Sequence, residues 1–299
     1  MTDIRPRRSV LYMPGSNARA LEKARTLPTD GIIIDLEDAV APEAKDAARA
    51  QVVAAVRQGG FGRREIVIRV NAPDTPWGED DIVAAAEAGA HAVLVPKVSD
   101  AETLTSLGHR LRRVGASESL RVWAMIETPL AILHCERIAS VARDGIARLD
   151  CLVIGANDIA KDTRARQVPG RWPILPHLAT AVAAARAHGL DILDGVYNAL
   201  ADEAGFRAEC EQGRDLGFDG KTLIHPNQLA VANEVFAPAA EELAEARSII
   251  AAFERPENRS NGVIAHEGRM VERMHADMAR RTVALAEAIA HPLSLDGRG

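Results

Sequence analysis

Aromatic residues make up only 3% of the 299-residue chain, too few to build platforms on which nucleic-acid bases stack. Cysteine is equally scarce. Cys135, Cys151 and Cys210 are widely spaced and form no CxxC pair, which argues against a disulfide framework and a thiolate zinc site and fits a reducing cytoplasm. Runs of basic residues are missing and the formal charge is −6, so nucleic acid is a poor main partner, although a local anion site remains open. No uncharged stretch reaches the roughly 18 residues of a membrane-crossing helix, and the N-terminal MTDIRPRRSVLYMPG lacks the apolar core of a signal peptide. A soluble, cytoplasmic protein is expected. Neither a G-x-G-x-x-G after a strand nor a G-x-x-x-x-G-K-[ST] occurs, so no redox cofactor is implied.

What is present is a repeated unit. Eight short apolar runs, SVLYMP, IIIDLE, IVIRVN, AVLVPK, VWAMIE, LVIGAND, ILDGVY and TLIHP, begin near Ser9, Ile32, Ile66, Ala92, Val122, Leu152, Ile192 and Thr222. Their spacing suits one strand, loop and helix per unit. They alternate little, as strands do when helices cover one face and barrel-interior side chains fill the other. With 47% hydrophobic residues the chain can bury one such core, and an α/β fold, a (β/α)8 TIM barrel over residues 1–254, is the economical reading.

Capping signals place the helices. Pro42 opens one with Glu43 and Asp46 in its first turns and Gly59-Gly60 as the stop, and a second spans Pro238 to Glu254 before Pro256 ends it. The polar RPENRSNG stretch, residues 255–262, then has linker composition. Residues 255–299 are expected to form this linker and a C-terminal helical extension, with Val271, Met274, Met278, Leu285 and Ile289 on one face. That stripe has to be covered by its own barrel, by a neighbouring subunit, or as a lid, which points to a homo-oligomer.

Nearly every run ends on a polar residue, and barrels of this kind carry their chemistry at the C-terminal rim. Asp35, Glu37 and Asp38, Glu127, and Asp158 bring carboxylates there. Glu127 and Asp158 end the fifth and sixth strands, which are neighbours in a barrel, so both can reach one ion; a pair of hard oxygen ligands completed by waters suits Mg²⁺. Helix capping or pairing with a rim arginine is the alternative use. Arg69, near the end of the third strand, needs an anion if buried: a substrate carboxylate or developing enolate, or else Asp35 or Glu37. Lys97 and Lys221, both near strand ends, are the candidate nucleophiles of a rival Schiff-base aldolase, with pairing to a carboxylate as the plainer role. His225, beside a proline, is expected to make a backbone hydrogen bond; it, His134 and His91 receive no catalytic role.

RRSVLYMPGSNARALEKA, DGIIIDLEDAVAPEAKDAAR, IRVN, VPKV, IETP, IGANDIA, DGVY and GFDGKTLIHPNQ together resemble the HpcH/HpaI aldolase and citrate lyase β-subunit family, including its malyl-CoA lyase type, from about Arg8 to Phe253. The resemblance implies that Glu127 and Asp158 bind Mg²⁺, that Glu127 and Arg69 contact substrate, and that coenzyme A meets Asn17, Arg19 and Lys23 near the first loop. A helix N-terminus led by Ser16 would suit phosphate, although those residues also read as a solvated face. Family members acting on free CoA thioesters carry a tail with G-x-M-[IV]-D; here Gly268-Arg269-Met270-Val271-Glu272 has glutamate at the last position. The implied activity is a carbon–carbon lyase that splits malyl-, citramalyl-CoA or a similar 3-hydroxyacyl-CoA into an acyl-CoA and glyoxylate or pyruvate, with Glu272 as candidate acid and a homo-oligomer, a trimer or a multiple, as the assembly. The extension argues against a stand-alone citrate lyase β subunit acting as a citryl-CoA lyase, and a catalytically dead CoA- or oxo-acid-binding protein is the non-enzymatic alternative.

Overall fold

The structure is a computed structural model that describes residues 4–291. Eight strands form a closed, all-parallel barrel: β1 (Ser9–Pro14), β2 (Gly31–Asp35), β3 (Glu65–Arg69), β4 (Ala92–Val95), β5 (Arg121–Ile126), β6 (Leu149–Ile154), β7 (Asp191–Asp194) and β8 (Gly220–Leu223). Each pairs with its sequence neighbours, and β8 returns to β1 with Ser9 opposite Lys221. All eight runs read from the sequence are strands, because β-branched residues buried on both faces leave no other regular structure.

Alternation sorts the side chains into two cores. Val10, Ile33, Val67, Leu94, Trp123, Met125, Val153 and Leu193 fill the barrel interior. Leu11, Ile32, Ile34, Ile68, Val93, Val95 and their neighbours face outward under the helices. Burying such residues is worth about 1.5–3 kcal/mol each, so these two layers dominate the stability of the fold. The expected covering helix runs from Lys45 to Gln58 after a 3₁₀ turn at Pro42–Ala44, and Gly59 stops it at φ 71°, where glycine carries no Cβ penalty. Another helix spans Ala240–Glu254.

The tail departs from the expectation. Before its helix, Arg273–Ala290, it forms a hairpin of β9 (Val263–His266) and β10 (Arg269–Glu272), turned through Glu267 and Gly268, both at positive φ. Val271 therefore belongs to a strand and packs on Phe253, Ile264 and Ala276 rather than sharing a helical stripe. Four-residue strands flanked by charges leave too little periodicity to be read. The tail helix packs along Ala240–Glu254, and Met278, Arg281 and Leu285 line a groove of about 1010 Å³ at the N-terminal end of the barrel, where Arg281 reaches Asp219 at 3.0 Å. Met270, Met274 and Met278 remain exposed. Among the described residues, no helix is long and apolar enough to cross a membrane.

Candidate active site and metal centre

A cavity of about 370 Å³ opens at the C-terminal rim, lined by Tyr12, Asp35, Asp38, Arg69, Met125, Glu127, Gly155, Asp158, Val196, Thr222 and Ile224. These residues come from β1, β2, β3, β5 and β8 and from the loops that follow several strands. That convergence on the barrel axis is why a barrel rim can gather groups distant in sequence.

Glu127 follows β5 and is 1% exposed. Its Oε1 accepts the backbone N–H of Lys97 at 2.7 Å, which fixes the carboxylate. The space it occupies exists because residue 155 is glycine: a Cβ there would sit 2.3 Å from the Glu127 Cβ. Asp158 lies in the first turn of the helix Ala156–Thr163, which follows β6 directly. Lys97 joins the two carboxylates, its Nζ 2.7 Å from Asp158 Oδ1 and 3.6 Å from Glu127 Oε1. Burial raises the pKa of Glu127, against the opposing pull of Lys97. The ammonium of Lys97 is held above its usual range: burial works against it, but the hydrogen bond to Asp158 and the charge of Glu127 prevail.

Arg69 is buried and already has its anion. Nε and Nη2 bind Asp35 at 2.8 and 2.6 Å, Nη1 meets Glu37 at 2.7 Å, and the guanidinium lies over the Tyr12 ring at 5.1 Å. Asp35 is itself locked by the backbone N–H groups of Glu37 and Ala39. Three carboxylates, Asp35, Glu37 and Asp38, thus share one guanidinium. Burial pushes Glu37 up to about 7, reinforced by Asp38, Glu127 and Asp35 and only partly offset by Arg69. Glu37 is one of several rim acids in the sequence; beyond its chain neighbours Asp38 and Asp35, its raised pKa comes from burial and from Glu127, which only the fold supplies.

Taken together, five carboxylates at the rim face two close cationic side chains, Arg69 and Lys97, with the exposed Lys161 4.0 Å from Asp158 as a third. Such an imbalance suits an added cation. Among the described residues there is no cluster of three or more His, Cys, Asp or Glu side chains able to enclose a metal. Glu127 and Asp158 offer two hard carboxylates, a number that fits Mg²⁺, an ion commonly held by one or two carboxylates with waters and substrate oxygens completing the octahedron.

Other expected residues sit elsewhere. The first-loop helix, Ala18–Ala24, is capped by Asn17 rather than led by Ser16, and the Asn17 side chain accepts the N–H of Ala20 at 3.1 Å. Arg19 and Lys23 are exposed one turn apart on that helix. Lys221 is fully buried outside the barrel interior, 2.8 Å from Asp194 and 2.9 Å from Glu209, so it does not face the rim cavity. Neither lysine is presented as a free amine. His225 Nδ1 accepts the N–H of Asn227, the backbone role expected of it. Glu272 is exposed at the start of the tail helix, and the rim cavity of its own chain is lined without it.

The sequence model of the HpcH/HpaI aldolase/citrate lyase family matches residues 8–226. The chain is 48% identical to a (3S)-malyl-CoA thioesterase of Cereibacter sphaeroides, over 95% of this chain and 96% of the relative. It is 34% identical to the citrate lyase subunit beta of Leuconostoc mesenteroides, over 96% of each. A crystal structure of CitE from Mycobacterium tuberculosis in complex with magnesium, acetoacetate and coenzyme A has a TM-score of 0.75 at 27% identity, covering 94% of this chain and 97% of that one. The near-complete overlap with a citrate lyase β subunit corrects one expectation: chain length, and hence possession of a tail, does not set this protein apart from such subunits. Sequence match, barrel and rim agree, and the chain belongs to the HpcH/HpaI aldolase/citrate lyase family of carbon–carbon lyases.

Proposed function

We propose that this chain is a Mg²⁺-dependent enzyme that cleaves the carbon–carbon bond of a malyl-CoA-type thioester. The observation that carries the reading is the pair Glu127 and Asp158, side by side at adjacent strand ends, bridged by one ammonium and set in a rim with excess carboxylate. The magnesium, acetoacetate and coenzyme A of the CitE structure, and the malyl-CoA named for the Cereibacter relative, supply the ligand classes.

In this reading Glu127 and Asp158 hold the ion, which supplies Lewis acidity toward substrate oxygens when bound. Arg69, clamped by Asp35, presents a fixed positive edge to the thioester oxygen as charge develops there. The substrate hydroxyl gives its proton to water, the bond between the carbinol carbon and the thioester α-carbon breaks, and its electron pair passes to the α-carbon. Glu272 is the candidate acid that protonates that carbon, releasing acetyl-CoA with glyoxylate from malyl-CoA, or with pyruvate from citramalyl-CoA. Arg19 and Lys23, exposed on the first-loop helix capped by Asn17, would meet the coenzyme A phosphates.

In this reading Glu272, which does not line its own cavity, would serve a neighbour's site in a homo-oligomer. The exposed Met270, Met274 and Met278 on the tail, and Leu130, Leu133, Trp172, Leu200 and Ile224 in segments that follow β5 to β8, are the apolar surfaces such an exchange would cover. Combining Glu272→Ala with Glu127→Ala subunits should restore activity to two inactive parents, since a hybrid can contain one complete site. No restoration in verified mixed oligomers removes the shared site.

A second reading is hydrolysis of the same thioester, favoured by the thioesterase name of relatives 48–49% identical to this chain. One experiment separates them: incubation with Mg²⁺ and (3S)-malyl-CoA, citramalyl-CoA or citryl-CoA, and identification of the products by mass. Acetyl-CoA with glyoxylate, pyruvate or oxaloacetate establishes the lyase. Free CoA with the intact hydroxy acid establishes the thioesterase, and no turnover of any of the three overturns the proposal.

A further inference from the structure

The Lys97 ammonium lies between the two carboxylates that a divalent ion would share. It is 2.7 Å from Asp158 Oδ1 and 3.6 Å from Glu127 Oε1, the two carboxylates that the proposed function assigns to the metal. An ion bound to these oxygens at its own short distance, about 2.0–2.1 Å for Mg²⁺, leaves no room for an ammonium on the same two atoms, and the two cations repel.

We propose that Lys97 is a resident counter-ion of the metal site, occupying it when the ion is away and withdrawing into solvent when the ion arrives. This rests on the reading of Glu127 and Asp158 as metal ligands. Three features fit Lys97 for the task. Its backbone sits at φ 54°, a left-handed conformation unusual for a long side chain, and this conformation aims residue 97 at the rim while its own N–H grips Glu127. Its side chain is 40% exposed, so the flexible stem can swing the ammonium into water, where it is strongly hydrated. Arg69, in contrast, is locked by a fork-to-fork pair with Asp35 and cannot leave. Glu127, at 1% exposure, would otherwise be a buried charge offset only by the weaker pull of Arg69, so a placeholder keeps the metal-free site folded in its binding shape.

The consequence is that this lysine sets the metal affinity of the site. Lys97→Met, which preserves the backbone N–H to Glu127, removes the competitor and should tighten Mg²⁺ binding by about ten-fold or more, measured by calorimetry or by Mn²⁺ competition. The metal-free variant should also melt earlier than the metal-free wild type, while the melting gap between metal-loaded and metal-free protein widens. A second readout uses the unaltered protein: amine labelling of Lys97, followed by mass spectrometry, should rise when Mg²⁺ saturates the wild type and stay flat in Glu127→Ala. Wild-type protein that binds Mg²⁺ with Lys97 labelling unchanged or reduced, or Lys97→Met with equal or weaker affinity, overturns the proposal while leaving the metal reading intact. Wild-type protein that binds no Mg²⁺ overturns the metal reading itself.

Discussion

The two ends of the barrel are built from the same residue types and do opposite things with them. At the N-terminal end, Arg7 is buried beneath the Trp123 ring, 4.9 Å from its centroid, and binds Glu65 through Nε at 2.8 Å while also reaching Asp150 and Asp191. Arg5 adds a second guanidinium to Glu65, and Arg186 and Arg281 both bind Asp219. Glu65 is held down at about 2, because the charges and hydrogen bonds of Arg7 and Arg5 outweigh its burial. Carboxylates and guanidiniums are matched in number there and the network plugs the barrel, although burial and the charges of Asp219 and Asp150 still push Asp191 up to about 6. At the C-terminal end the carboxylates outnumber the cations, and Glu37 rises further, to about 7. The lesson concerns saturation: a matched cluster is a structural plug, whereas an unmatched one retains capacity for an ion and a substrate. The larger hollow lies at the matched end, so cavity size alone does not single out the rim.

The comparison breaks most sharply at the metal pair. Glu127→Ala or Asp158→Ala should abolish Mg²⁺ binding and reduce turnover by about 10⁴-fold, roughly 5 kcal/mol of transition-state stabilisation, with an unchanged melting transition for the metal-free protein to within a few degrees. Retained Mg²⁺ affinity in both variants would sink the assignment. Its mirror image is Arg7→Met. Removing the central cation of the plug leaves Glu65 buried with only Arg5 beside it, and should cost about 3–5 kcal/mol of stability in denaturant titrations, while folded protein keeps its Mg²⁺ affinity. A loss of metal affinity without a loss of stability would reverse the roles given to the two ends.

Arg69→Lys keeps the charge and loses the fork that grips Asp35. Turnover should fall by about 10²-fold, roughly 2.7 kcal/mol, with Mg²⁺ affinity changed far less. Equal losses in the two would make Arg69 a support for the metal site alone. The smallest effect is expected at Glu37. Its folded pKa, about 7, lies above its ordinary 4.5, so its contribution to stability is full below pH 4.5 and is lost as the pH rises through 7. Glu37→Gln should therefore gain about 1 kcal/mol over wild type at pH 8 and nothing at pH 4, read from paired melts. A gain of equal size at both pH values would trace the effect to packing rather than charge.

Much of the fold was legible because it is repetitive. Eight apolar runs at the spacing of a strand–helix unit admit few arrangements, and Gly59 and Pro256 mark helix ends by backbone geometry that other residues adopt poorly. The hairpin β9–β10 leaves no readable pattern because its strands are short and charged, and Val271 packs within it rather than on a helical stripe.

By itself, then, the sequence determined the barrel, the family and the rim carboxylates, since each is written in local pattern: burial of β-branched runs fixes strands, and a strand's end fixes which rim its last residue reaches. Tertiary structure alone decided how those carboxylates are used. Whether Arg69 stays free for a substrate or is clamped by Asp35, whether Glu37 is charged near pH 7, and where Lys97 rests depend on burial and on distances between residues 30 to 90 positions apart. Electrostatic energies at such sites vary with an ångström of separation and a few per cent of exposure, and neither quantity is encoded in any one stretch of chain.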